Sequence, residues 1–170
     1  RYGTSGYYMR LIGKEITEFE FTVTMTIEDD ATFLEDRFLP EKWNLNKDKN
    51  VYTHVYEYKK GNIPTMGTLP TPQRAGYKFQ YWKDKNGEEV SSGTFVTRNY
   101  NCTPFWQAKV CEVKLSNDSK ELQNISMTYG STTNDMVEVP ASKEHYKFDG
   151  YYSENGNQYF DSEGKNVRAW

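Results

Sequence analysis

The sequence predicts a mainly β protein (α+β at most), built from small sheet units in tandem, the first of them incomplete. Aromatic residues make up 16% of the 170 residues, with 14 Tyr and 4 Trp. Tyr, Trp, Thr and Val fit a half-buried pleated surface. Short segments recur at a fixed spacing, which is the signature of a repeated unit. Asn-Gly pairs close two of these segments, and this dipeptide is a strong hairpin signal.

An aromatic segment occurs twice at an offset of 69 residues without a gap. The matched positions are Tyr77 with Tyr146, Phe79 with Phe148, Trp82 with Tyr151, and Asn86-Gly87 with Asn155-Gly156. A partial third copy opens the chain, where residues 7–16 lie over residues 81–90. We therefore expect three segments. Residues 1–43 form the C-terminal half of a repeat, 44–109 a full repeat, and 110–170 a near-complete repeat that lacks its last strand.

Each predicted copy begins with an alternating strand, as in residues 51–58, where aromatic residues and His54 occupy one face. A polar turn follows, then a short stretch that ends in Pro70 or Pro140, then the aromatic strand. A Thr- and Val-rich strand completes the copy. We expect one helical turn in each of residues 71–76 and 131–138. Residues 33–43 fit either a short helix that Pro40 ends or an insertion loop.

Large aromatic side chains are expected to form the core, because a unit of about 60–70 residues buries little of its surface and each ring buries about 150–250 Å². In the second copy the predicted core residues are Phe79, Trp82, Phe105 and Trp106. In the third copy they are Tyr146, Phe148, Tyr151, Tyr159 and Phe160.

Several of these runs together resemble a known repeat. In the second copy they are residues 76–82 (GYKFQYW), 86–90 (NGEEV) and 104–108 (PFWQA). In the third copy they are residues 127–131 (MTYGS), 139–140 (VP) and 146–152 (YKFDGYY). In this order they resemble the Listeria–Bacteroides repeat, the B-repeat type of internalin-like surface proteins. The resemblance covers residues 50–170 well and 1–43 in part.

The resemblance implies a β-grasp-like fold, repeated in tandem within extracellular, secreted or cell-surface proteins. It implies a spacer, stalk or adhesin role and offers no catalytic residues to carry over. Two departures concern turns and packing. Tyr81 stands where the family, and the third copy with Gly150, has a glycine. Residues 120–124 replace the Gly-rich turn after the first strand.

Catalytic and metal-binding patterns are not found in the sequence, so we expect no enzyme activity, no metal site and no cofactor. His54 and His145 lie 91 residues apart and belong to no metal or nucleophile motif. His54 alternates with tyrosines on a strand, which favours a surface or half-buried structural role.

Cys102 and Cys111 are the only cysteines. Along one extended strand they would lie about 30 Å apart and on opposite faces, which is too far for a disulfide. We expect two independent thiols, both mostly buried.

Exposed aromatic residues are the candidate binding site. Neighbouring residues on a strand point to opposite faces, so the outward members of three aromatic pairs, Tyr7, Tyr81 and Tyr152, are candidates for stacking on a sugar ring. A structural ridge or an inter-repeat contact explains them as well. The alternatives to a spacer are therefore a glycan- or receptor-binding module, or an accessory domain of a secreted enzyme.

The expected partners are neighbouring repeats of the same protein, and glycans or a host receptor for a binding module. The net charge of −3 argues against nucleic acid, whose binders are usually basic. The three predicted segments carry −4, +5 and −4, an order that could steer neighbours together or give the middle one weak affinity for polyanions. No apolar run reaches the ~18 residues of a membrane span.

Overall fold

The computed structural model describes Gly13 and residues 18–170, and the described chain is mainly β with no helix. Residues 18–170 contain twelve strands, in this order: β1 (Glu18–Thr26), β2 (Ala31–Phe33), β3 (Asn44–Asn46), β4 (Val51–Lys59), β5 (Pro72–Arg74), β6 (Tyr77–Lys83), β7 (Glu89–Val90), β8 (Tyr100–Ala108), β9 (Val110–Asn117), β10 (Lys120–Thr128), β11 (Gly150–Tyr152) and β12 (Gln158–Asp161). The predicted β class is confirmed. The helical turn expected at 71–76 is wrong, because this segment holds β5, and residues 131–138 contain no helix. Residues 34–43 form a loop with turns.

Six strands form one open sheet in the order β3-β4-β1-β8-β6-β7. At its centre β1 runs parallel to β8, with Val23 opposite Tyr100 and Met25 opposite Cys102. The other neighbours are antiparallel. The remaining pairs are two-stranded: β2 with β5, β9 with β10, and β11 with β12.

The alternation of side chains decides which face of each strand is buried. On β1, Val23 and Met25 point into the core and their Thr neighbours point away. On β4 the buried face carries His54 and Tyr56, whereas Val55 is exposed. This strand therefore buries its aromatic face and exposes its β-branched one.

Two hydrophobic cores follow one another along the chain, since the buried members of the first end at Cys102 and those of the second begin at Leu115. The first contains Val23, Met25, Ile27, Ala31 and Trp43 from the first predicted segment together with Tyr56, Met66, Trp82, Val90, Val96, Tyr100 and Cys102 from the second. The second is formed by Leu115, Met127, Val137, Tyr151 and Phe160. The predicted boundary at 43/44 does not separate two cores, because β1 pairs with both β4 and β8. We refer to residues 18–109 and 110–170 as the first and second units.

An irregular loop covers the first core, and aromatic side chains donate hydrogen bonds to the carbonyl oxygens of this loop. Tyr56 Oη donates to Met66 O at 2.5 Å, Trp43 Nε1 to Thr68 O at 3.0 Å, and Trp82 Nε1 to Pro70 O at 2.8 Å. Buried carbonyl groups need such partners. These three hydrogen bonds hold the irregular segment at residues 66–70 against the sheet.

The second unit repeats part of this construction at the predicted offset. Phe148 and Tyr151 meet edge to face at 5.2 Å, as Phe79 and Trp82 do at 5.6 Å. Tyr151 Oη donates to Glu138 O at 3.2 Å and so binds the loop that covers the second core. The aromatic segments therefore serve the same packing role in both units.

The two Asn-Gly turns also share one hydrogen-bond pattern. In the first, Gly87 N donates to Asp84 O and Asp84 N to Glu88 O; in the second, Gly156 N donates to Ser153 O and Ser153 N to Asn157 O. The glycines take the positive φ, +81° and +79°, while the asparagines do not. The hairpins were predicted correctly, and only one residue of each pair needs the left-handed conformation.

Two of the predicted core residues are exposed. Phe105 is 42% exposed, because β8 turns Pro104 and Trp106 inward and the residue between them outward. Tyr146 is 71% exposed, because it lies in a tight turn with Lys143, before β11 begins. The prediction of a core position is therefore wrong for both.

Gly164 lies in a third turn of the same type and packs directly under Val137. Its φ is +84°, close to the +79° of Gly156, but only at Gly164 would a Cβ overlap the carbonyl oxygen of Val137. We expect Gly164→Ala to lower the free energy of unfolding by about 1–3 kcal/mol more than Gly156→Ala, because both strain the backbone but only one disturbs the core. Urea unfolding of the two variants measures this difference, and equal losses would contradict it.

Candidate functional site

Few reactive groups come together in the described chain. Across residues 18–170 no group of three His, Cys, Asp or Glu side chains is placed to hold a metal ion. No described helix is long and apolar enough to cross a membrane. The two described candidate residues, Tyr81 and Tyr152, lie at an outward pair of rings on the large sheet and at a groove in the second unit.

Tyr81 and Phe105 form the outward pair, since they face each other across β6 and β8. Their rings are stacked, 4.9 Å apart and 14° from parallel. Lys83 Nζ lies 5.7 Å from the centre of the Phe105 ring. Tyr81 is therefore half-buried against the ring of Phe105, which was expected in the core.

Tyr152 lies on β11 and is 49% exposed. Its hydroxyl donates to the Asp149 carboxylate at 2.5 Å, and this bond raises the pKa of the phenol. Tyr81 and Tyr152 belong to different sheets, so they do not form one platform. Tyr7, the remaining candidate, lies outside the described residues.

The groove lies between β9 and β11, and Tyr152 is on its rim. Its volume is about 500 Å³. One wall is β9, from Glu112 to Ser116, and the other is β11 with Ser153 and Glu154. Apolar side chains of the second core, Leu115, Tyr151 and Phe160, lie along it together with Trp170. The sequence indicates Tyr152 but not the groove, because nothing local in the sequence places β9 next to β11.

His54 is buried in the first core. Its ring lies between Trp43, 4.9 Å away, and Tyr56, 3.9 Å away. Nδ1 has no hydrogen-bond partner. Burial, assisted by the charge of Lys42, holds the pKa of His54 below its ordinary value. The residue is structural, as predicted, but more deeply buried than the sequence analysis expected.

Asp84 and Arg98 form an ion pair at 2.8 Å that closes the first Asn-Gly turn. The Asp84 carboxylate also accepts from the main-chain nitrogens of Asn86 and Glu88. Burial on its own raises the pKa of Asp84, but these hydrogen bonds and the guanidinium hold it below its usual range. Every polar contact of the carboxylate serves the turn, so the pair is structural.

The two thiols are free, as predicted, but their environments differ. Cys102 is buried on β8, and burial raises the pKa of its thiol to about 12. Cys111 is exposed. The expectation that both are mostly buried is wrong for Cys111, because it shares a face of β9 with Val113 and Leu115 but lies beyond the end of the core they reach.

Comparison of the chain with family models, with curated proteins and with solved structures finds no match. The resemblance to the Listeria–Bacteroides repeat therefore rests on the residues quoted above.

Acidification is expected to destabilise the first unit through His54. A group whose pKa is lower in the folded state stabilises the protein fully above its unfolded pKa of about 6.5, and this contribution is lost as the pH falls below it. Thermal unfolding between about pH 7.5 and pH 5.5, where carboxylates stay ionised, measures the effect.

His54→Phe removes the titrating group and should flatten this pH dependence. The matched control is His145→Phe, since His145 is exposed and touches no core ring. The explanation fails if both variants keep the pH dependence of the wild-type protein.

Proposed function

We propose that this chain is a non-catalytic segment of an extracellular or cell-surface protein, in which small β units joined end to end act as a spacer, stalk or adhesin element. The observation that carries the proposal is the succession of two separate cores built with the same turn and the same aromatic pair. Units that contact only their neighbours make length scale with repeat number.

The strand order supports a β-grasp-like unit. In such a sheet the first and last strands lie parallel at the centre, each flanked by an antiparallel partner. The order β4-β1-β8-β6, with β1 parallel to β8, fits this description. The unit would then run from β1 to β8, which joins the first predicted half-repeat to the second copy.

The junction between the units is short and hydrogen-bonded, which suits a stiff spacer. Only Lys109 separates β8 from β9. Its nitrogen donates to Gly76 O and its oxygen accepts from Tyr129 N, each at 2.9 Å. Tyr129 also packs edge to face on Tyr77 at 5.4 Å. A linker this short and this well bonded limits how far one unit turns against the other.

Small-angle X-ray scattering tests the spacer role. A compact single globule of this length would have a radius of gyration of about 15 Å. We expect the chain to exceed this value clearly and to give an elongated pair-distance distribution, because its cores lie in series.

Insertion of four Gly-Ser residues after Lys109 should broaden that distribution, since the insertion separates the two hydrogen bonds of the junction. The matched control is the same insertion in the exposed turn at residues 118–119 between β9 and β10. A radius of gyration near that of a compact globule would count against the spacer role.

A second candidate function, glycan binding, is favoured by the Tyr81–Phe105 stack with Lys83 beside it. Flat exposed rings stack on sugar rings, and a Lys adds a hydrogen-bond donor. If this surface binds, Tyr81→Ala should abolish the signal on a glycan array, and Tyr152→Ala on the other unit should leave it unchanged. Absence of binding by the wild-type chain at low and high salt would remove this candidate.

A further inference from the structure

The described part of the first unit begins and ends with two neighbouring parallel strands. It opens with β1 at Glu18 and closes with β8, which Lys109 joins to the second unit. In the sheet these two strands lie side by side and run in the same direction. The start of β1 and the end of β8 therefore lie at opposite ends of the strand pair. Tension applied along the chain pulls the two strands past each other.

This geometry loads the contacts between the two strands all at once. Hydrogen bonds between parallel strands cross from one strand to the other at even spacing, so sliding strains every bond of the pair together. The opposite case is β1 with β4, an antiparallel pair in which Glu18 lies opposite Lys59. A pull between those two residues would open that pair from one end, one hydrogen bond after another.

The first core resists sliding of β1 along β8. Val23 lies opposite Tyr100 and Met25 opposite Cys102, and all four side chains are buried in the first core. Since side chains in a protein interior interdigitate at close packing, β1 cannot shift along β8 without withdrawing them. Main-chain hydrogen bonds and core contacts thus oppose the same movement.

Side-chain hydrogen bonds join the two strands at both ends of the paired region. Just before the paired residues, Thr22 N donates to Asn99 Oδ1 at 2.9 Å. Just beyond them, Trp106 Nε1 donates to Glu28 Oε2, also at 2.9 Å. Each bond connects β1, or a residue next to it, with β8, or a residue next to it. Both ends of the pair are therefore held against sliding.

We propose that the β1–β8 pair is a mechanical clamp, through which the first unit bears tension applied along the chain. The clamp consists of the paired residues 23–25 and 100–102 with the two side-chain hydrogen bonds that flank them. This function rests on the proposed spacer role, because a stalk that carries load has to stay folded when it is pulled. The resistance itself belongs to the first unit and is measured independently of that role.

Single-molecule force spectroscopy of the full 170-residue chain tests the clamp. In the first arrangement the chain is pulled from its N- and C-termini between two handle domains. Unfolding of the first unit releases about 300 Å of chain and unfolding of the second about 200 Å, at about 3.3–3.6 Å per residue. The length released therefore identifies which unit has unfolded.

The second arrangement pulls the first unit between the N-terminus and a handle attached through Lys59→Cys. Cys111→Ser leaves this new thiol as the accessible one, because Cys102 is buried. The first arrangement is repeated with the same double variant. Forced unfolding is governed by the unfolding rate, and we expect a force at least about twice as high in the first arrangement, since only there do the bonds of the clamp break together. Equal forces, or a lower force in the first arrangement, would overturn the proposal.

Two variants with the same chemical change test the side-chain bond at the end of the clamp. Trp106→Phe removes the indole donor to Glu28, whereas Trp43→Phe removes an indole donor to Thr68 O, outside the clamp. We expect Trp106→Phe to lower the force in the first arrangement by about a fifth or more, and Trp43→Phe to lower it by less than half as much. Equal losses would show that the force reports general stability, and they would exclude the clamp.

The scattering measurement separates this function from the spacer role. An elongated chain whose unfolding force is the same in both arrangements would keep the spacer and exclude the clamp. A compact chain that unfolds at a higher force in the first arrangement would keep the clamp and exclude the spacer.

Discussion

Hydrogen bonds from buried aromatic side chains to loop carbonyl oxygens are the interactions on which the fold depends. The described chain has no helix, and the β2–β5 pair packs on the large sheet through Phe33, whose ring contacts Tyr52 and Trp82. An irregular segment between residues 66 and 70 also covers this sheet, and its carbonyl groups would be costly to bury without hydrogen-bond partners. The donors Trp43, Tyr56 and Trp82 satisfy three of them between residues 66 and 70. The same rings fill the core, so each provides both apolar area and a bond.

This explains why a chain poor in aliphatic residues folds into sheets. A Leu or Val side chain fills space but cannot donate a hydrogen bond to a loop carbonyl, whereas Trp and Tyr side chains do both. Tyr151 repeats the device in the second unit through its bond to Glu138 O. Aromatic side chains thus bind loop carbonyl oxygens in both units.

The two units differ most in how their halves are connected. In the first unit, β8 joins the two halves of the sheet. One face of β8 packs into the core, and on the other face Phe105 stacks on Tyr81. In the second, the halves share a core but no strand, and the same aromatic contacts border an open groove.

The sequence by itself determined the alternating strand at residues 51–58, the two Asn-Gly hairpins and the aromatic pairs at an offset of 69 residues, because alternation and turn chemistry act over a few neighbouring residues. It identified Trp82, Tyr151 and Phe160 as core residues for the same reason. Only the tertiary structure decided that β1 joins β4 and β8 in one sheet, that Phe105 and Tyr146 face solvent, that Cys111 lies past the end of its core, and that a groove borders Tyr152. Those features depend on which strand edges meet across tens of residues of sequence. Local periodicity indicates which face of a strand is buried, but it does not indicate which strand pairs with it.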